Sequence, residues 1–393
     1  MKKAANVLFI LFGMLFLAAA MLVTIFREKQ ETSYFENRSL ADFPKAEADA
    51  VLDGTYFTEL EEYLTDNAAG RTTLVRWNTK VDLLLQRPVV NEVVVTAADE
   101  VLLPYHTFQV VRQSEIESKA AVLTANLSTV NAAAASYGGY FCYVAVPIQY
   151  DIYSDEYPWY LEDGSEEIEL SLAALQEALD EADIPFLDLG PVYDSTGDAK
   201  EYYSTVDHHY NMYGAFTAYQ SVLEFINEET GADIPILQES DVQFQEVPNY
   251  YLGSLARKLY NLIPGREKLC LAVPNEPVSF TRYNNGIQGE STVHAWIATA
   301  SESVFYTYYM GGDIAETVIE TDRDDLPDIL IYGDSFTNAM ECVLYLSCDT
   351  MYSVDLRYYE GTISDYIAEK QPDYVICLRD YESLLSTGGN GGI

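Results

Sequence analysis

Two short stretches of this 393-residue chain carry residue types that could do covalent chemistry: Asp207-His208-His209-Tyr210 and Gly333-Asp334-Ser335-Phe336. In an extended segment, residues two apart point the same way, so Asp207 and His209 should project together while His208 points away. A carboxylate beside an imidazole fixes its tautomer and stabilises the imidazolium. His209 could then take the proton of Ser335, and hydroxyl, imidazole and carboxylate form the minimum set for acyl transfer through a serine ester. Each stretch also has a plainer reading. Ser335 could be only the N-cap of a strand–helix turn, and Asp207-x-His209 a surface turn capping the next helix. Asp207, His208 and His209 are all metal-ligand types. Adjacent histidines on a strand point oppositely, however, and neither His106, His294 nor a cysteine is near in sequence; we expect no metal and no cofactor.

Those side chains need elements to hold them. Residues 328–332 read as a short apolar strand and 337–346 as a helix, which puts Ser335 beyond the carboxyl end of a strand, where open α/β sheets bind ligands. Free N–H groups at a helix N-terminus can stabilise an oxyanion, and Gly333 allows a tight turn. Further strands are expected at 140–146, 184–189, 351–354 and 374–378, and helices at 113–137, 166–181, 213–228 and 363–369. This alternation predicts an α/β fold, a mostly parallel sheet with helices on both faces. Helices at 56–64 and 72–85 and a strand at 89–95 precede it. Residues 230–320, rich in aromatics and turn signals, read as an inserted β-rich lobe. The tail from Gly388 is glycine-rich.

The N-terminus predicts the setting. Lys2 and Lys3 precede an uncharged run over 4–26, which Arg27 and Lys29 end. As a helix it spans roughly 34 Å, enough for a bilayer core of about 30 Å. Ala18-Ala19-Ala20 offers small residues for cleavage, so a signal peptide is the alternative. The run continues past those alanines, and we expect a single-pass anchor in the lipid bilayer with the bulk of the chain extracellular. The expected organisation is an anchor over 1–29, a helical stem over 30–95 and the α/β domain over 96–393.

Composition excludes other classes. At 49% apolar and 21% charged residues the chain has material for a core and is not a disordered protein. With 22 basic and 62 acidic residues, its net charge of −40 repels phosphate backbones, so nucleic acid is not an expected partner. The five cysteines, Cys142, Cys270, Cys342, Cys348 and Cys377, are no disulfide framework. Cys142 and Cys377 sit in apolar runs as small core residues; a Cys342–Cys348 bridge is the one pairing considered.

Several spaced segments together resemble the DHHW family of exported bacterial proteins, which are similar to SGNH-type O-acetyltransferases that modify alginate. They are Glu36-Asn37-Arg38 with Leu40, Phe43 and Pro44; Asp53-Gly54 with Phe57, Tyr63, Asp66 and Arg71; Val146-Pro147 with Ile152-Tyr153 and Pro158; Asp207-His208-His209-Tyr210 with Gly214-Ala215; Gly253-Ser254-Leu255; Gly311-Gly312-Asp313; Gly333-Asp334-Ser335-Phe336; and Asp355-Leu356-Arg357-Tyr358-Tyr359. Coverage runs from about residue 34 to 380, and Tyr210 stands where the family pattern has Trp. The Asp-x-His pair precedes the serine, the order of the alginate-type group. The resemblance implies an SGNH/flavodoxin-like fold with Ser335 as nucleophile, His209 as base and Asp207 as orienting acid. Gly333, Asp334, Asn338, His208, Tyr210 and Arg357 are the substrate or oxyanion candidates, beside the backbone N–H of Ser335. It implies transfer, or removal, of an acetyl group on a cell-surface glycan or other hydroxylated acceptor, beside a multispanning membrane acyl-donor protein. The competing reading is a non-catalytic glycan- or partner-binding surface protein on the same fold.

Overall fold

The structure is a computed structural model that describes residues 2–26, 29–36, 38–96, 101–105, 112–161, 164–297, 299 and 301–387. Arg27, Asn37, His106 and the tail from Gly388 lie outside the described residues. The chain divides into two units, residues 1–91 with 257–263, and residues 92–256 with 264–393.

In the first unit, α1 (Lys2–Phe26) contains the window Ala5–Thr24, with a mean hydropathy of 2.7. Its large side chains, such as Leu8, Phe9 and Phe12, are exposed, unlike those of a core helix of a soluble protein. By length and composition it could cross a membrane, a test a signal sequence also passes. After a short helical segment, Ala48–Asp53, come α2 (Thr55–Asp66) and α3 (Arg71–Leu84). Asp66, buried at the end of α2, accepts from Arg38 Nη1 at 2.7 Å and Nη2 at 2.5 Å and from the Ala41 N–H at 3.0 Å. The Arg38 fork holds the Asp66 carboxyl down at about 2. Arg71 pairs with Glu36 at 2.7 Å. The charged residues shared by the first two motif segments thus clasp one another. The expected strand 89–95 is split into Val89–Val90 and Val93–Val95 by Asn91 and Glu92, which both have positive φ.

In the second unit, Ile329, Leu330, Ile331 and Tyr332 are consecutively buried, as are Phe141 to Val146 and Val375 to Leu378. A strand with one wet face alternates, so such runs require cover on both faces. They belong to an eight-stranded sheet built from β1 (Tyr140–Val146), β2 (Phe186–Asp188), β3 (Thr281–Asn284), β4 (Ile287–Gln288), β5 (Glu316–Glu320), β6 (Ile329–Gly333), β7 (Thr350–Asp355) and β8 (Tyr374–Asp380). The strand order is β4-β3-β5-β7-β6-β8-β1-β2. Strands β7, β6, β8, β1 and β2 pair in parallel. Strands β5, β3 and β4 continue the sheet antiparallel. Helices α4 (Gln113–Ser136), α5 (Ser165–Glu181) and α8 (Ile363–Lys370) pack as one group, and α6 (Met212–Thr230) with α7 (Thr337–Leu344) as another.

Two expectations change. The sheet is mixed, five parallel strands extended by three antiparallel ones. Residues 230–320 do not form a lobe apart, because their strand β5 pairs with β7, satisfying the backbone groups that β7 would otherwise leave at an edge, and β3 and β4 continue the sheet from β5. The remainder of that segment holds a two-stranded antiparallel ladder, Val242–Glu246 with Cys270–Pro274. All five cysteines are buried and free, so the Cys342–Cys348 bridge is not made. Cys342 Sγ reaches the Val293 and Asn338 carbonyls and Cys348 Sγ the Leu344 carbonyl.

Candidate active site

The turn after β6 places Ser335. A Cβ added at Gly333 would lie 2.2 Å from the Leu378 carbonyl oxygen, so only glycine lets β6 end this close to β8. Asp334 then caps the turn, since its Oδ1 accepts the Phe336 N–H at 3.0 Å. Its Oδ2 pairs with buried Arg379 at 3.2 Å. Burial, with Asp380 beside it, pushes the Asp334 carboxyl up to about 6 against the pull of Arg379. Among the described residues the Ser335 N–H donates to no protein acceptor.

The second stretch comes from the chain between α5 and α6. Tyr203 bridges to Tyr210, and the Ser204 N–H donates to the His209 carbonyl at 3.2 Å. Residues 204–209 are therefore a closed loop, and several groups brace it. Buried Gln149 donates to the Ser204 and Leu102 carbonyls. Ser204 Oγ accepts the Val206 and Asp207 N–H groups at 3.2 and 3.0 Å and donates to Glu267 at 2.8 Å. Burial pushes the Glu267 carboxyl up to about 7, although Ser204 and Thr205 donate to it.

Within this loop the Asp207 carboxylate is 2% exposed. Its Oδ1 lies 2.7 Å from His209 Nδ1, and its Oδ2 accepts the Ser254 N–H at 2.6 Å. Burial pushes its carboxyl up, but the His209 hydrogen bond, the two imidazoles and Ser254 outweigh that and hold it well below the carboxylate range. Gly253 permits the Ser254 contact, because a Cβ there would lie 2.3 Å from the Val206 carbonyl oxygen. His209 Nε2 lies 2.9 Å from Ser335 Oγ. A carboxylate at Nδ1 assigns the proton to that nitrogen and leaves Nε2 to accept from the serine hydroxyl. The imidazole stacks on buried Tyr306, ring centroids 3.7 Å apart and planes 4° apart, with Phe336 at 4.7 Å. Ser335, His209 and Asp207 thus form a continuous hydrogen-bonded line, the geometry that proton transfer from a serine requires.

The other candidates fall in different places. His208 does not point away, because the segment is a loop and not a strand. Its ring centroid is 3.9 Å from that of His209, and its Nδ1 lies 2.8 Å from Ser254 Oγ. Ligand atoms of Asp207, His208 and His209 lie within 4.8 Å of one another, but both His209 nitrogens are already engaged within the line. Tyr210 is fully buried and donates to the Phe336 carbonyl, strapping the loop to the turn after Ser335. Asn338 Nδ2 donates to Asp313 Oδ1 at 3.0 Å. Arg357 pairs with Asp313 at 3.0 Å and with Asp355 at 2.6 Å. Asp313 therefore joins two candidates that look unrelated in sequence. Tyr306, Ser254, Asp313, Glu267 and Arg379 are residues that the sequence reading gave no role. Ser254 and Asp313 were marked by their glycine-led motifs, whereas nothing distinguishes Tyr306 among 32 tyrosines.

Residues 94–292 match the family described as SGNH hydrolase-like domain, acetyltransferase AlgX. The chain belongs to this family. The matched stretch contains Asp207 and His209 and ends before Ser335, so the serine's place rests on the geometry above. Among solved structures the fold is similar to Bacillus cereus PatB1 with a sulfonyl adduct, at 22% identity and a TM-score of 0.62, covering 76% of this chain and 97% of that one. It is also similar to a DHHW family protein from Eubacterium siraeum, at 16% identity and a TM-score of 0.56, covering 77% and 95%. The O-acetyltransferase domain of Pseudomonas putida AlgJ aligns at 15% identity with a TM-score of 0.48, covering 75% and 93%. No curated protein sequence matches.

Proposed function

We propose that this AlgX-family chain is a membrane-anchored, extracellular serine acyl-ester enzyme that transfers an acetyl group to a hydroxyl of a cell-surface polysaccharide. The observation that carries the reading is the unbroken line from Asp207 through His209 to Ser335 Oγ, at 2.7 and 2.9 Å, assembled from segments more than a hundred residues apart. Ser335 Oγ bonds to the acetyl carbonyl carbon as its proton passes to His209 Nε2. Asp207 holds the Nδ1 proton and stabilises the imidazolium. The Ser335 N–H, without a protein acceptor, donates to the developing oxyanion. Collapse breaks the bond to the donor's leaving group, which takes the proton from His209 and leaves acetyl-Ser335. An acceptor hydroxyl then gives its proton to His209 and attacks the ester carbonyl; collapse breaks the bond to Ser335 Oγ, which takes the proton back from His209, and the acetylated acceptor leaves. Water in the same place gives acetate, the esterase outcome.

The Tyr306 face, stacked on the imidazole, fixes its plane. Asn338 and Arg357, joined by Asp313, supply a polar wall near Ser335 for the acceptor. Helix α1 is the anchor, and its bilayer setting suits delivery of the acetyl group by a multispanning membrane protein.

The test is covalent labelling by an aryl sulfonyl fluoride, a choice supported by the sulfonyl adduct in the PatB1 structure. Labelling of Ser335 that disappears in His209→Ala is expected. A chain that binds glycan but resists labelling would instead be a binding module on the same fold.

A further inference from the structure

Away from the line through Ser335, a cavity of about 260 Å3 opens over the first turn of α6. Tyr202, Tyr213, Phe216 and Phe244 line it, and Glu201 and Glu239 stand at its edge. The rings are mutually braced. Tyr213 stacks on Phe244 at 4.3 Å, and Phe216 meets Phe244 edge-on at 5.5 Å. Tyr213 is nonetheless 44% exposed, leaving ring surface facing solvent. No Lys, Arg or His lines the cavity. Lys200, next to Glu201 in the chain, is turned to Asp155 at 2.7 Å and Glu156 at 3.2 Å. Neither Glu201 nor Glu239 is ion-paired among the described residues.

We propose that this cavity binds a hexosamine unit that carries a free ammonium group, as a remote subsite for the acceptor glycan. An aromatic surface takes the apolar C–H face of a sugar ring. Carboxylates without a basic neighbour attract a cation, and exposed ring faces add to that attraction. A uronate or phosphorylated sugar is repelled by the same two groups and by a chain of net charge −40. The volume lies below the roughly 300–1,000 Å3 typical of drug-sized ligands, which suits one sugar ring and not a buried oligomer.

The cavity is also tied to the reacting groups. Tyr202 accepts the Asn211 N–H at 2.9 Å and Tyr203 bridges to Tyr210, so one hydrogen-bonded loop carries the cavity wall at its base and Asp207 and His209 at its tip. A glycan seated there rests on the base of the loop whose tip carries Asp207 and His209. That connection to an acceptor rests on the proposed function; the ligand chemistry of the cavity does not.

The experiment is calorimetric titration of the full-length Ser335→Ala chain in detergent with a glucosamine pentamer, and separately with an N-acetylglucosamine pentamer. The glucosamine oligomer should bind more tightly, and increasing salt should weaken it. The double variant Glu201→Gln/Glu239→Gln should weaken it about tenfold or more, and Tyr213→Ala likewise, whereas Tyr213→Phe, which keeps the ring, should retain it. No binding by the parent chain overturns the proposal. So does a preference for the N-acetylated oligomer, or binding undiminished in the glutamine pair. Because the chain titrated lacks Ser335, these outcomes are read independently of labelling at Ser335, and either proposal can fail alone.

Discussion

Two buried carboxylates sit on either side of Ser335 and differ in kind. Asp207 is surrounded by donors, namely His209 Nδ1 and the Ser254 N–H, and its carboxyl is held far below the usual range. Asp334 has the Phe336 N–H and one arginine contact, faces Asp380, and is pushed up to about 6. Burial disfavours the charged form of both; beside Asp207 the two imidazoles and the Ser254 N–H outweigh it, whereas beside Asp334 the Asp380 carboxylate adds to it against the pull of Arg379. A group that must stay anionic to orient an imidazole is enclosed by N–H groups, while one that caps a turn can bind a proton without losing its task.

The largest expected effect breaks the line at its end: Ser335→Ala should remove acetyl transfer by roughly 10⁴-fold or more, read as acetate released from an aryl acetate and as glycan acetylation in cells. Next, Asp207→Asn should lower kcat by about 10³- to 10⁴-fold with binding nearly unchanged, because an amide favours the wrong His209 tautomer. The same substitution at the other carboxylate sharpens the contrast. Tyr306→Leu, which removes the stacked ring, should cost about tenfold in kcat and Tyr306→Phe almost nothing. Asp334→Asn should change kcat by less than about threefold, since an amide oxygen still accepts the Phe336 N–H. It should alter the pH dependence of stability instead. The folded Asp334 carboxyl lies above its unfolded value, so its contribution is fully present below about 4 and is lost as pH rises through about 6. Thermal melts of Asp334→Asn across that window should fall less steeply with pH than those of the parent. If Asp334→Asn were as damaging to kcat as Asp207→Asn, the distinction between the two carboxylates would be wrong.

That distinction was only partly legible in the residues. The alternation of apolar runs places β6, α7 and Ser335, because a buried parallel strand and the helix after it carry strong local patterns. The Asp207-x-His209 spacing puts the pair within reach of one another. His208 was misread, since a period of two applies to strands and residues 204–209 are a loop closed by Ser204, Gln149 and Glu267. The three antiparallel strands read in sequence as an inserted β-rich lobe because β3, Thr-Arg-Tyr-Asn, and β4, Ile-Gln, are too short and polar to show a period. Tyr306 could not have been chosen, because its role arises from stacking against a ring nearly a hundred residues away. The clasp of Asp66 with Arg38 joins two stretches 28 residues apart; both residues stand out in their motif segments, but neither local sequence shows that they pair.

The central claim is that Ser335 becomes acylated with His209 as its base. Peptide mass spectrometry of chain quenched during turnover of an aryl acetate tests it. The account predicts one acetyl group on the peptide containing Ser335, absent from His209→Ala. Turnover with that peptide never acetylated, or acetylation undiminished in His209→Ala, would contradict it.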